Sequence, residues 1–415
     1  MSYSEMSEHY DVIVCGAGPA GATAARLLAE SGRKVAIIER RRLPRHKTCG
    51  GGVPVSVSRH LRQLSAEAFV ESNVKHIRHT LRFGKPLLCP INSNCQSDQS
   101  LWMVQRSIFD NALCQSASNK GAGILDGLTV RAMERSAGRV TLKACQEASN
   151  KSVLMVSADR VIGADGANGI CARLAGLRSG RKLAIAVEIE KEHRWGDGHS
   201  SLRPDIAHLD FGNIDHGYAW VFPKREHLNI GAGIIYPHRK HSGTENKVRD
   251  FLQNAVQGYM RLLEIPFKPE ELKFYAHPLP AWDSREPLSD PQGRVLLVGD
   301  AAGLVNPFFG DGIMNAIRSG EIAAQAILSG QALSYTNLIH KEFAANLDSA
   351  HRYARFFYRH TDLCYRYGVT RQEATRVAMR LLSDDLKFPE IKGRLLKRFG
   401  RFVLGRFQPD RTQTS

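Results

Sequence analysis

Residues 11–15, DVIVC, form a short apolar run that reads as a buried strand. GAGPAG follows at 16–21, then an alanine-rich stretch to Ser31 that suits a helix and is closed by Gly32. Residues 34–38, KVAII, return as a second strand, with Glu39 at its end. Two later segments repeat parts of this rhythm. RVIGADGANG at 160–169 is a strand running into a turn, and residues 294–324 give an apolar strand, an Asp, a glycine-rich loop and a helix of small residues. Between them, YAWVF at 218–222 alternates large aromatics with smaller apolar residues, as a strand with two different faces would. The face bearing Tyr218, Trp220 and Phe222 could wall an apolar tunnel, and a well-packed core strand would alternate in the same way. Residues 336–390 look helical.

Strand, glycine turn, helix, strand and a terminal acid together predict a dinucleotide site. Gly16 permits the tight turn, Gly18 lets a pyrophosphate reach the backbone, and Gly21, after Ala20, lets helix and strand pack closely. The helix N-terminus offers free N–H groups to the phosphates. Glu39 can accept hydrogen bonds from a ribose, with Arg40 beside it.

Composition narrows the partners. The 415 residues carry 57 basic against 41 acidic side chains, a formal charge of +16, so an anionic partner is expected. No nucleic-acid-binding module accompanies that charge, which argues against nucleic acid. There is no apolar run of about 18 residues, and the first ten residues lack a secretory signature; the expected location is cytoplasmic. Eight cysteines without a CxxC pair argue against a disulfide framework or structural zinc, and no metal is expected. Arg40, Arg41, Arg42, Arg45 and Lys47 cluster just past Glu39, either as solvated loop charge or to capture a phosphate head group or dock NADPH. Residues 391–407, IKGRLLKRFGRFVLGRF, hold six basic and no acidic residues, with apolar positions at helical spacing. Such a helix suits peripheral contact with an anionic membrane, or packing on its own domain.

The three nucleotide segments resemble the flavoprotein family that includes p-hydroxybenzoate hydroxylase. That resemblance implies FAD as cofactor, with Asp300 at the ribityl chain and Gly310, Gly312 and Ile313 at a helix start facing the flavin pyrimidine. It also implies roles for Asp165 in the middle motif and for Arg106 near the phosphates. Gly169 departs from the serine common there. Two further stretches resemble the geranylgeranyl reductase family. HKTCGGGVPVS at 46–56 matches its PxxYxCGG pattern from Pro44, with Lys47 in place of the usual tyrosine, and GYAWVFPKREHLNIGAG at 217–233 matches its YxWxFPK…GxG segment.

The resemblance implies a reductase that saturates C=C bonds of a polyprenyl chain borne on a diphosphate, lipid, quinone or tetrapyrrole ester, with electrons from NADPH or ferredoxin. Cys49 is then the candidate proton donor and Tyr218 a second one. Gly51 and Gly52 would leave room for the chain, beside Trp220 and Phe222. A uniform apolar tunnel would let successive isoprene units slide past, giving partly reduced intermediates. An FAD monooxygenase and a non-catalytic, membrane-associated flavin-binding protein are the alternatives. The expected fold is α/β. A Rossmann-like FAD domain from 1–80, 100–180 and 285–335 is interleaved with a β-sheet substrate domain from 81–99 and 181–284, and a helical C-terminal region covers 336–415.

Overall fold

The computed structural model describes residues 8–92, 99–136, 138–146, 149–178, 183–196, 201–235 and 245–391. The first apolar run lies within strand Glu8–Cys15, which pairs in parallel with Val35–Glu39 on one side and Ser149–Gly163 on the other. Gly123–Asp126 and Val295–Leu297 add further parallel pairs, and the antiparallel strands Arg139–Gln146 and Leu128–Ser136 complete seven strands. Val12, Ile13, Val14, Ile37, Ile162 and Leu296 are fully or almost fully buried, as parallel strands covered on both faces require. Helices Pro19–Glu30 and Ile313–Leu328 pack together over this sheet. At their crossing, a Cβ on Gly320 would overlap the backbone of Ala20, so small residues let the two helices approach closely.

A second seven-stranded sheet runs in the order Tyr275–Pro280, Leu183–Glu192, His227–Ile234, Gly217–Pro223, Ile206–Phe211, His76–Leu81 and Leu87–Pro90. Helix Glu245–Leu262 covers one face, where Val256, Tyr259 and Met260 bury Ala219, Val221 and Ile230. Strand His76–Leu81 straddles the boundary expected at 80 and pairs wholly within this sheet, in parallel with Ile206–Phe211. A small third sheet joins Gly52–Pro54 and Val70–Val74 to Leu101–Val104, so the glycine stretch is stitched to the strand that leads into helix Arg106–Ser118.

The residues after 335 are helical, in the segments Tyr335–Arg359, Thr361–Cys364, Tyr365–Val369 and Gln372–Leu382, but they are not a detached tail. Tyr335 donates to the Leu297 carbonyl at 2.7 Å, which ties the long helix to the nucleotide sheet. Met379 buries itself among Ile77, Leu101 and Met103, since its apolar partners lie some 300 residues earlier in the chain. The basic stretch 391–407, expected either to contact a membrane or to pack on its own domain, falls after Ile391 outside the described residues. Among the described residues no helix is long and apolar enough to cross a membrane.

Candidate active site

A cavity of about 1070 Å³ reaches from the glycine turn, past the CGGG stretch, to the C-terminal helices. The candidate catalytic, cofactor and substrate residues named from the sequence all border it except Gly21, which lies beneath, and of the basic cluster only Arg42 does not border it. At its nucleotide end Gly16 has φ +113, and a Cβ there would overlap the Ala164 carbonyl; one on Gly21 would overlap the Gly16 carbonyl. A Cβ on Gly18 would meet no protein atom within 4 Å, so this glycine faces open space. Gly18 and Gly312 begin the two crossing helices without any side-chain cap, which leaves first-turn N–H groups available to a ligand. An open glycine cradle, two uncapped helix starts and an acid at the end of the second strand fit a flavin dinucleotide.

The charges around this cradle form a line. Glu39 accepts from the Ala17 N–H at 2.9 Å and the Arg41 N–H at 3.1 Å, and Arg45 Nε lies 3.2 Å away. Arg45 continues to Asp110 at 3.0 Å, and Asp110 takes Arg106 Nε at 2.8 Å and Nη2 at 2.9 Å. The basic cluster after Glu39 is therefore not one anion trap. Arg40, Arg41 and Arg42 are exposed and Arg45 is held in the buried ion pairs. Lys47 turns inward to His277 Nε2 at 2.6 Å. Burial alone would raise Asp300, yet neighbouring His277, Lys47 and Arg106 bring it down to about 2. The side-chain contact with His277, whose Nε2 stands 3.8 Å from Asp300, comes first among these, followed by the charges of Lys47 and Arg106. Asp165 accepts from the Cys171 N–H at 2.8 Å, and a Cβ at 169 would overlap its carboxylate, which accounts for glycine where serine is common.

At the other end the two signature stretches interlock. Tyr218, Trp220 and Phe222 face the cavity while Ala219 and Val221 face the covering helix, as their alternation predicts. A Cβ on Gly50 would come within 2.9 Å of the Phe222 ring, and one on Gly51 within 2.6 Å of Lys224 Nζ. The space a side chain would need at Gly50 and Gly51 is thus taken by Phe222, Lys224 and the Val104 carbonyl, whereas a Cβ on Gly52 would make only ordinary contact with Leu101 at 3.5 Å, and both Gly51 and Gly52 border the cavity. Trp220 in turn lies over Gly231, where any side chain would overlap the indole, and donates to Asn229 at 2.8 Å. Tyr218 donates to the Phe309 carbonyl, and burial first, then Asp311 and Cys49, push its pKa up. That places it as an anchor of the 306–312 loop and a poor acid.

Three groups carry chemistry to which the sequence reading assigned no role, Lys224 entering it only as part of the YxWxFPK match. Glu188, only 1% exposed, accepts from the Cys49 N–H at 2.7 Å, and burial pushes it up to about 7. The available signal was an acid on the small-residue face of a strand, in register with Ala184 and Ala186. Lys224, equally buried, is lowered to about 8 by desolvation and bonds two backbone carbonyls. Asp311 has an unpartnered buried oxygen, and burial raises it to about 7. Cys49 is half-buried within electrostatic reach of Lys47, Arg106 and Lys224.

The fold and this cradle define a flavin dinucleotide-binding oxidoreductase. The chain belongs to the FAD binding domain family, whose model matches residues 9–329. It is similar to the digeranylgeranylglycerophospholipid reductase of Methanothrix thermoacetophila, 27% identical over 412 residues, covering 93% of this chain and 94% of the relative. It is also similar to the menaquinone reductase of Mycolicibacterium smegmatis, 27% identical over 407 residues, covering 92% and 94%. A geranylgeranyl bacteriochlorophyll reductase-like protein of Thermoplasma acidophilum shares the fold, with a TM-score of 0.70 at 24% identity over 92% of this chain and 93% of that one. The resemblance to geranylgeranyl reductases read from the two motifs is borne out by these relatives.

Proposed function

We propose that this flavoprotein saturates isolated C=C bonds of a geranylgeranyl or related polyprenyl chain. The supporting observation is the continuity of the cavity. The same space that begins at the Gly16–Gly18 cradle continues along Trp220 and Phe222 to Ile77, Leu209, Val377 and Leu381. A dinucleotide needs only the first part. The apolar remainder suits a long hydrocarbon, held against the cofactor by shape and shielded from water.

Gly16, Gly18, Ala20 and the helix starting at Pro19 would hold the pyrophosphate, Glu39 the ribose, and Asp300, Gly312 and Ile313 the flavin end. When bound and reduced, FAD supplies hydride chemistry. The chain's own task is then to deliver a proton to the second alkene carbon. Cys49 is the group assigned that role, its backbone N–H held by Glu188, with Tyr218 as the weaker candidate. Arg40, Arg41 and Arg42, exposed beside the nucleotide end, would meet a phosphate-bearing reductant such as NADPH; a ferredoxin is the other donor in view. The relatives' names span a phospholipid and a quinone, so the carrier of the prenyl chain is left to experiment.

The test is anaerobic turnover of dithionite-reduced holoenzyme with prenyl substrates, followed by mass spectrometry. The proposal expects a gain of two hydrogens per reduced bond. Unchanged substrate without oxygen, with hydroxylated product once air is admitted, would identify a monooxygenase instead. Bound FAD that no prenyl alkene reoxidises would identify a non-catalytic flavin carrier.

A further inference from the structure

The helical wall at the apolar end of the cavity has an outer face that the proposed chemistry does not use. Residues 351–380 contain seven arginines against two acids, Asp362 and Glu373. Arg352, Arg355 and Arg359 are exposed and spaced three and four apart, on one stripe of helix Tyr335–Arg359 that also carries Phe356. Asp362 is tied to Arg82 at 2.8 Å, which removes one of the two acids as a counter-charge. Beside the stripe, Leu363 is 53% and Tyr367 is 70% exposed, and Phe356 is 56% exposed. These large apolar side chains stand in water although Tyr365, between two of them, is buried and bonded to His79 at 2.9 Å. The anchor fixes the segment, so its apolar side is presented outward by the fold and not by fraying.

Phe356 belongs to both surfaces: it lines the cavity and is more than half exposed. Cys364 and Gly368, neighbours of Leu363 and Tyr367, line the cavity as well. We infer that this face seats the protein on an anionic lipid bilayer, with Leu363 and Tyr367 entering the interface, the arginines on the headgroups, and the cavity opening toward the acyl region at Phe356. Exposed aromatic and aliphatic residues ringed by arginine match the chemistry of such an interface. A purely acidic protein partner would leave the apolar residues without a use. The inference extends the prenyl-lipid reading, from which it takes its purpose, but the binding is measured apart from turnover.

The experiment is co-sedimentation of full-length holoenzyme with vesicles of phosphatidylcholine alone, or with 30% phosphatidylglycerol, the latter fraction being about what gives a well-developed negative surface. Two variants are compared, L363S/Y367S and R355Q/R359Q, none of whose positions borders the cavity. Retained FAD absorbance and melting temperature show that each is folded. The expectation is partition to the anionic vesicles only, weakened roughly tenfold or more in either variant. Turnover of a short prenyl substrate in detergent should stay at the parent level. Equal binding to both vesicle types overturns the inference, as does parent-like sedimentation of L363S/Y367S. Loss of turnover in the parent itself would instead count against the proposed reaction, and would leave the sedimentation result standing.

Discussion

The ammonium of Lys224 donates to the carbonyl of Gly50 at 2.7 Å, and to that of Val104 at 2.8 Å, from a position only 1% exposed. A strand of the second sheet thus pins the CGGG stretch and the small third sheet at once. Lys224→Met keeps the bulk of the side chain but leaves both carbonyls unpaired, so unfolding should become easier by about 2 kcal/mol. Urea denaturation measures this; an unchanged midpoint would mean that the loop holds without the pin.

Glu188 makes stability depend on pH in a defined direction. Its pKa rises from 4.5 to about 7 on folding, so between those values only the unfolded chain ionises. The contribution is fully present below about 4.5, declines as pH rises through the window, and is gone above about 7, over a span of roughly 3 kcal/mol. Subtracting the urea midpoints of Glu188→Gln from those of the parent, from pH 4.5 to 7.5, isolates this slope. Parallel curves would contradict the burial argument.

Cys49→Ser preserves the N–H that Glu188 accepts and removes only the thiol. If the thiol hands over the proton, kcat should fall on the order of 10²-fold while FAD content and KM stay near parent values. Tyr218→Phe removes the bond to Phe309 and should cost less than tenfold, chiefly in KM, because it loosens a loop. Steady-state kinetics of the two variants side by side would reverse the assignment if Tyr218→Phe proved the more damaging.

At 169 the common serine can be restored. Its Cβ would overlap the Asp165 carboxylate, which must then leave the Cys171 N–H. Gly169→Ser should destabilise the protein by about 1–2 kcal/mol and weaken FAD retention, both seen in thermal melts with and without added cofactor.

The nucleotide end was legible because its signals are local: Gly16, Gly18, Gly21 and Glu39 lie within one strand–helix–strand unit and each answers to its own backbone. The alternation of Tyr218, Trp220 and Phe222 was legible for the same reason. The role of Gly51 was not, since it depends on Val104 and Lys224, far away in sequence. Nor was the helical wall, because Met379 finds Ile77 and Leu101 only after two sheets have formed. Glu188 looked like one acid among several until burial distinguished it from its neighbour Glu190, which is exposed.

The contact between position 50 and the Phe222 ring has a historical consequence. One methyl group gained at the first must be matched by volume given up at the second, so the two sites are free to drift only as a pair. A chain of this kind with alanine at 50 should carry leucine or smaller at 222. Gly50→Ala combined with Phe222→Leu should accordingly recover what the first change alone forfeits.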